Sequence, residues 1–139
     1  MSAFLLTWRD IHWPYTRIER MVQIFGRKGY VIEPWKIFAH EQAKKGDRVW
    51  LLKQGEGEKI IFGAGNLLDA PTCRQFDREA AYGARIKFDA FVDPLKRSII
   101  GEYDLTRILT RHQIAARASG RSALEEDQEA PLEECLRCC

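Results

Sequence analysis

The 139-residue sequence contains no run approaching the roughly 18 apolar residues that a membrane-spanning helix needs. Cysteine is scarce: Cys73, Cys135, Cys138 and Cys139, three of them within the last five positions. A disulfide framework spreads its cysteines in pairs along the chain, so this distribution points to a reducing compartment. Histidine is scarcer. His12, His40 and His112 fall in no HxxxH or HExxH arrangement, which removes the familiar zinc-hydrolase pattern. The sequence also lacks a GxxxxGK[ST] phosphate loop, a GxGxxG fingerprint and a GxSxG nucleophile elbow. The opening MSAFLLTWRD does not read as a secretory leader, because it has no basic start and Trp8-Arg9-Asp10 follows a short apolar stretch at once. These absences predict a cytoplasmic protein with no membrane contact, cofactor, metal or catalytic constellation.

What charge there is divides unevenly. Residues 121–139 hold two of the 22 basic and six of the 20 acidic side chains, leaving 20 and 14 in residues 1–120. The body is therefore +6 and the C-terminal segment −4. A basic body suits a polyanionic partner, because its lysines and arginines release condensed counterions on binding. The chain accordingly divides into a domain over residues 1–121 and an acidic, cysteine-containing segment over residues 122–139. In that segment Cys135-Leu136-Arg137-Cys138 has the spacing of half a zinc site. A structural zinc needs four ligands, so a solvated tail is the simpler expectation.

Hydrophobic periodicity predicts the following elements. The run AFLLTW at residues 3–8 is too short for a helix and reads as a buried strand. Pro14 opens a helix whose apolar face is Tyr15, Ile18, Met21, Val22 and Phe25, with Gly26 and Gly29 marking its end. Residues 30–40, with Pro34-Trp35 and no clean period, read as a loop holding a short extended piece. A turn at residues 44–47 precedes a strand over residues 49–52. Gly55 and Gly57 then provide hairpin chemistry. Residues 59–68 form the returning strand, where Gly63 and Gly65 predict a bulge or a close backbone approach. A polar loop follows over residues 69–81. The next strand, residues 83–92, puts Ala84, Ile86, Phe88 and Ala90 on one face and Arg85, Lys87 and Asp89 on the other. A short helix is predicted over residues 103–110 and a loop over residues 117–121. Ser122 and Glu125 form a capping box for a last helix that Pro131 interrupts. Strands that cluster without regular intervening helices argue for α+β and a small curved or barrel-like sheet.

Four tryptophans stand out. Trp50 lies inside an apolar run and is core, and Trp13 staples the start of the helix. Trp8 and Trp35 sit where extended segments give way to loops, and aromatic rings so placed can stack a base or cage a methyl group. Composition alone would make them core as well.

Several stretches together resemble the EVE domains of the PUA-like superfamily, relatives of the YTH and ASCH domains. They are AFLLTW, then Trp35 followed eleven residues later by Gly46, then GDRVWLLKQG at residues 46–55. Ile60 to Gly65, Arg85 to Phe91 with Val92-Asp93-Pro94, and Ala118-Ser119-Gly120-Arg121 complete the match, which covers most of residues 3–121. The resemblance implies a PUA-like pseudo-barrel, a small curved mixed β-sheet with flanking helices. It further implies a reader of a modified base, methylated above all, flipped into an aromatic pocket. Trp8, Trp35, Phe76, Gln54 and Gly65 are the pocket candidates it marks. Arg9, Lys44, Lys45 and Lys53 are the candidate contacts to the nucleic-acid backbone. Trp35 departs from the family in being followed by Lys36-Ile37-Phe38 instead of Ser-x-Gly, and residues 69–81 contain no tryptophan.

The expected function is thus a nucleic-acid-binding module, for DNA or RNA, and not an enzyme. Such a module serves as the recognition part of a modification-dependent restriction or defence system, with a nuclease or ATPase domain on another chain. The alternatives are an RNA-binding PUA-like domain indifferent to modification, and a protein-interaction domain on the same fold.

Overall fold

The computed structural model describes residues 2–8, 14–37, 41–55, 57–76, 79–115 and 122–138. Strand β1 (Ala3–Trp8) is buried along its whole length. Phe4, Leu6 and Trp8 enter one apolar cluster, and Ala3 and Leu5 enter a second on the other face. Both faces of this strand are therefore covered, which is why AFLLTW reads as a continuous apolar run without alternation.

Helix α1 (Tyr15–Lys28) starts at Pro14 and stops at Gly29, whose left-handed φ of 79° lets its N–H return to the Phe25 carbonyl at 2.8 Å. Gly26 lies within the helix and does not end it. Ile18 and Met21 are buried in the first cluster, with Tyr15, Val22, Ile24 and Phe25 packed against it.

The remaining strands are β2 (Val31–Lys36), β3 (Arg48–Lys53), β4 (Ile61–Leu67), β5 (Thr72–Phe76), β6 (Glu79–Phe91) and the two-residue β7 (Ser122–Ala123). They form one mixed, curved sheet in the order β2-β6-β4-β3-β1-β7, not closed into a barrel. The β1–β3 pairing is parallel, with Ala3 opposite Arg48 and Trp8 opposite Lys53. The other ladders are antiparallel. At Gly83 both β2 and β5 pair with β6, and at Ile86 both β2 and β4 do, so β5 continues the edge that β4 occupies. The architecture is α+β, as the clustering of strands predicts.

The short extended piece expected within residues 30–40 is a six-residue strand, and the segment expected as a polar loop over residues 69–81 contains another. Residues 31–36 form β2 although they contain Pro34. The Ile37 N–H donates to the Tyr82 carbonyl at 3.0 Å, and the register places Trp35, Glu33 and Val31 in the same bonding phase. Pro34 falls in the opposite phase on an edge strand, where its missing N–H costs no ladder bond. Within residues 69–81, Thr72–Phe76 forms a hairpin with the start of β6, its side chains largely exposed. An edge hairpin with one weakly buried face carries little apolar signal to read.

Helices α2 (Glu102–Ile108), α3 (Arg111–Ile114) and α4 (Glu126–Arg137) come after the sheet's long strand. Leu105, Leu109, Leu124 and Leu132 join Trp50, Leu52 and Ile61 in the second cluster. The acidic segment is thus packed onto the body: the Leu124 N–H donates to Ala3 at 2.8 Å, and Leu132 is fully buried. Burying such a leucine is worth about 2 kcal/mol. Pro131 lies inside α4 and does not break it. The capping box is Glu125 with Gln128, one turn later than the Ser122–Glu125 pair, because Ser122 is committed to β7. The loop over residues 117–121, Trp13, and the histidines His12 and His40 lie outside the described residues. No helix among the described residues is long and apolar enough to cross a membrane.

Two helix starts are fastened to each other. Gln113 completes the capping box of α3 with Thr110, as Gln128 does for α4. Their buried amides bond reciprocally, Gln113 Nε2 to Gln128 Oε1 at 2.9 Å and Gln128 Nε2 to Gln113 Oε1 at 2.7 Å. Each oxygen also accepts its own cap N–H, from Thr110 at 2.8 Å and Glu125 at 2.9 Å.

The sheet bends where β4 passes β6. The β4–β6 register shifts between Ala64 and Gly65, and a Cβ built on Gly65 would lie 2.4 Å from the Lys87 carbonyl oxygen. That obstacle is backbone and cannot rotate away. Replacing Gly65 by Ala should cost about 2–3 kcal/mol of stability. Gly26→Ala, in open space within a helix, should add about 0.5–1 kcal/mol. Urea unfolding of both variants checks this, and equal effects would mean that the β4–β6 approach is looser than described.

Candidate nucleic-acid interface

The site candidates fall into two groups at opposite ends of the sheet. The parallel ladder ends with Trp8 opposite Lys53, and the Gln54 N–H donates to the Trp8 carbonyl at 2.9 Å. The Gln54 side chain, 9% exposed, donates through Nε2 to the Ile114 carbonyl at 2.7 Å. Trp8, Lys53, Gln54 and the end of α3 therefore meet at one end. Arg9 follows Trp8 in sequence but lies outside the described residues.

Trp35 pairs with Ala84 at the other end, where Lys36 meets Gly83. Phe76 stands over Gly83: a Cβ there would come within 2.4 Å of the ring. The Lys36 ammonium is 5.8 Å from the Phe76 ring centre and pairs with Glu79. Lys44 and Lys45 are exposed in the turn before β3, which Asp47 holds by accepting the Lys44 N–H at 2.8 Å. Gly65 faces the backbone of β6, as its glycine demands.

The expected pocket of Trp8, Trp35, Phe76, Gln54 and Gly65 is thus not assembled as one cleft in this structure. Trp8 is 3% and Trp35 5% exposed, both within the first cluster. They are the two ends of a chain of rings in mostly edge-on contact. Trp8 meets Phe62 at 5.8 Å, Phe62 meets Phe91 at 5.6 Å, Phe91 meets Phe88 at 5.5 Å, and Phe88 meets Trp35 at 6.2 Å. Edge-to-face geometry at these separations is favourable packing. The sequence pattern could not separate this from a pocket, because a ring at a strand end serves either use.

The Trp8 end contains groups that the sequence did not single out. Tyr15, the first residue of α1, has its ring 6.5 Å from Trp8 and its hydroxyl donates to Asp93 Oδ2 at 2.5 Å. Asp93 in turn accepts the Leu95 N–H through Oδ1 at 3.0 Å. The bond to Asp93, followed by burial and the carboxylate's charge, pushes the Tyr15 hydroxyl up to about 12. Beside Tyr15, Pro14, Thr16, Arg17 and Arg20 line an open depression at the first turn of α1. That turn has no acidic residue and no side-chain cap from Pro14. An excess of bases on a helix without first-turn acids is countable in the sequence, and is the signal that would have found it.

Arg17 of this depression pairs with Glu33 at 3.6 Å, and several cations of the sheet are paired as well. Arg48 meets Asp89 at 3.0 Å and Glu133 of α4 at 3.1 Å, while Asp69 takes Arg85 at 2.8 Å and Arg74 at 3.7 Å. The half-buried Cys135 thiol is pushed up by burial, then by Asp104, which keeps it protonated and unreactive. Among the described residues no group of three or more His, Cys, Asp or Glu side chains is arranged to hold a metal.

No protein-family model matches the chain, and no curated protein matches it. Similar solved structures exist. A Pseudomonas syringae protein is 12% identical with a TM-score of 0.53, covering 95% of this chain and 97% of its own. One from Pseudomonas putida is 11% identical at 0.54, covering 96% and 99%. A hypothetical protein from Leishmania major is 10% identical at 0.56, covering 99% and 95%. At such identities the likeness is one of fold, spanning nearly the whole of each chain.

Two outcomes follow from the packing. Trp35→Ala should lower stability by about 3–5 kcal/mol, the cost of emptying a buried large aromatic site. A variant that melts like the parent would show that the indole is not core. Tyr15 has a raised folded pKa, so its neutral form is favoured in the fold. Its contribution is whole below the unfolded value near 10 and is lost as pH rises toward about 12. In urea titrations across that window the parent should lose stability faster than Tyr15→Phe; parallel curves would refute the Tyr15–Asp93 coupling.

Proposed function

We propose that this chain is a cytoplasmic nucleic-acid-binding module, not an enzyme, and that contact is made at the Trp8 end of the sheet. The observation that carries the reading is the meeting of Trp8, Lys53 and Gln54 beside the first turn of α1, which presents Arg17 and Arg20. A site of this kind needs positive charge for phosphate together with aromatic and amide groups for a base. The basic body of residues 1–120 supports it, as does the resemblance to EVE domains, which implies a small curved mixed sheet with flanking helices.

The finer reading is recognition of a modified, flipped-out base. Extrusion costs a few kcal/mol, least from single strands, and stacking returns roughly 1–3 kcal/mol per base. The burial of Trp8 and Trp35 favours a second reading beside it, binding without dependence on modification. A nuclease or ATPase on another chain is the partner that the restriction reading requires.

Titration of matched single-stranded oligonucleotides with and without one methylated base, followed by fluorescence anisotropy, separates the two. A modified-base reader should prefer its target by about tenfold or more, a difference of about 1.4 kcal/mol. Equal affinities that fall steeply with salt would leave the modification-independent reading. Absence of binding even at low salt would sink both and favour a protein-interaction domain.

A further inference from the structure

The solvent-facing side of α1 carries a feature that the base site does not use. Thr16, Arg20, Gln23 and Arg27 follow one another at helical spacings of four, three and four, and all are exposed. Arg17 and Lys28 flank this stripe, and Glu19 is the one carboxylate on the helix's polar side. The helix begins beside Trp8, so the stripe leads directly away from the proposed base site.

Helix stability accounts for half of this arrangement. Arg27 and Lys28 in the last turn complement the negative end of the helix dipole. Arg17 does the opposite, adding positive charge in a first turn that has no acid and no side-chain cap from Pro14, but it pairs with Glu33 of β2 at 3.6 Å. Arg20, in the second turn, gains from neither the dipole nor an ion pair among the described residues, which points to a use outside the fold. The other described cations of the sheet largely have carboxylate partners, Lys36 with Glu79, Arg48 with Asp89 and Glu133, Arg74 and Arg85 with Asp69. Among the described residues no carboxylate forms an ion pair with Arg20, Arg27 or Lys28.

We propose that this stripe is a track for the phosphate backbone of the strand whose base is read at the Trp8 end, with Arg20 and Arg27 as its principal contacts. This rests on the nucleic-acid reading above. From Thr16 to Arg27 the helix rises about 16 Å, roughly five stacked nucleotides at 3.4 Å each. The open depression of Pro14, Thr16, Arg17 and Arg20 is where the strand enters. An anionic membrane is the competing partner for a basic helix. It would require the apolar face to insert, but Ile18 and Met21 are fully buried in the first cluster.

The test uses the full chain and a single-stranded oligonucleotide of mixed sequence, titrated over a range of potassium chloride concentrations. Each phosphate contact contributes about −0.7 to the log–log salt slope for a single strand. The double variant Arg20→Ala/Arg27→Ala should flatten the slope by about 1.4 and lose about tenfold or more in affinity at low salt. Arg20→Lys/Arg27→Lys should restore most of the slope, which distinguishes charge from helix damage. A double variant with parental slope and affinity overturns the track while leaving the base site standing, above all if Lys44→Ala/Lys45→Ala carries the loss instead. A parent that binds no oligonucleotide overturns both. Binding to phosphatidylserine vesicles in preference to the oligonucleotide, lost in the same double variant, overturns the nucleic-acid track in favour of a lipid surface.

Discussion

The parallel ladder between β1 and β3 imposes the layout of the rest. Parallel neighbours cannot be joined by a tight turn, so the chain must leave β1 at Trp8 and return to the opposite end before Arg48. Helix α1 and strand β2 fill that interval, the helix covering the first apolar cluster and β2 running back antiparallel to β6. The same pairing puts the C-terminal ends of β1 and β3 side by side, which is why Trp8, Lys53 and Gln54 meet. A sheet whose central strands are buried on both faces then needs a second layer, and α2 and α4 provide it.

Much of this was legible because it follows from periodicity. AFLLTW, the apolar face of α1 and the alternation of Ala84, Ile86 and Phe88 each state their burial directly. Where the structure departs from the periodicity, tertiary context overrides or replaces the local signal. Pro34 is compatible with a strand when its nitrogen faces away from the neighbouring strand, and only the pairing reveals that. Pro131 is accommodated in the first half of α4, where Leu132 is held by the core. The hairpin of β5 with β6 is stabilised by ladder bonds to an already formed strand, a contribution with no sequence period.

The candidate site was legible in part, for a related reason. Sequence resemblance can align residues along a chain, but it cannot say which sheet end each occupies. The resemblance marks Gln54 for the pocket and Lys53 for the nucleic-acid backbone, and the ladder puts both beside Trp8. Trp8 and Trp35 share a place at strand ends and in the resemblance, whereas the ring chain through Phe62, Phe91 and Phe88 keeps them at its two ends. Charge shows the same contrast. Counting gives a basic body, but Lys36, Arg48, Arg74 and Arg85 of the sheet are paired with Asp69, Glu79, Asp89 or Glu133, whereas Arg20, Arg27 and Lys28 of α1 form no ion pair among the described residues.

The reciprocal amide pair of Gln113 and Gln128 also ties two regions of the chain into a single heritable unit. Each amide oxygen already serves a cap N–H, and Gln128 Nε2 also reaches the Ile108 carbonyl at 3.1 Å. Glutamate at either position would set a carboxylate against the other's amide oxygen, and a shorter residue would leave its partner's amide buried without its counterpart. Single changes are therefore selected against at both positions, while a matched double change can pass. Across divergent relatives these two positions, fifteen residues apart, should drift in concert, recording the docking of the acidic helix in the pattern of joint replacement.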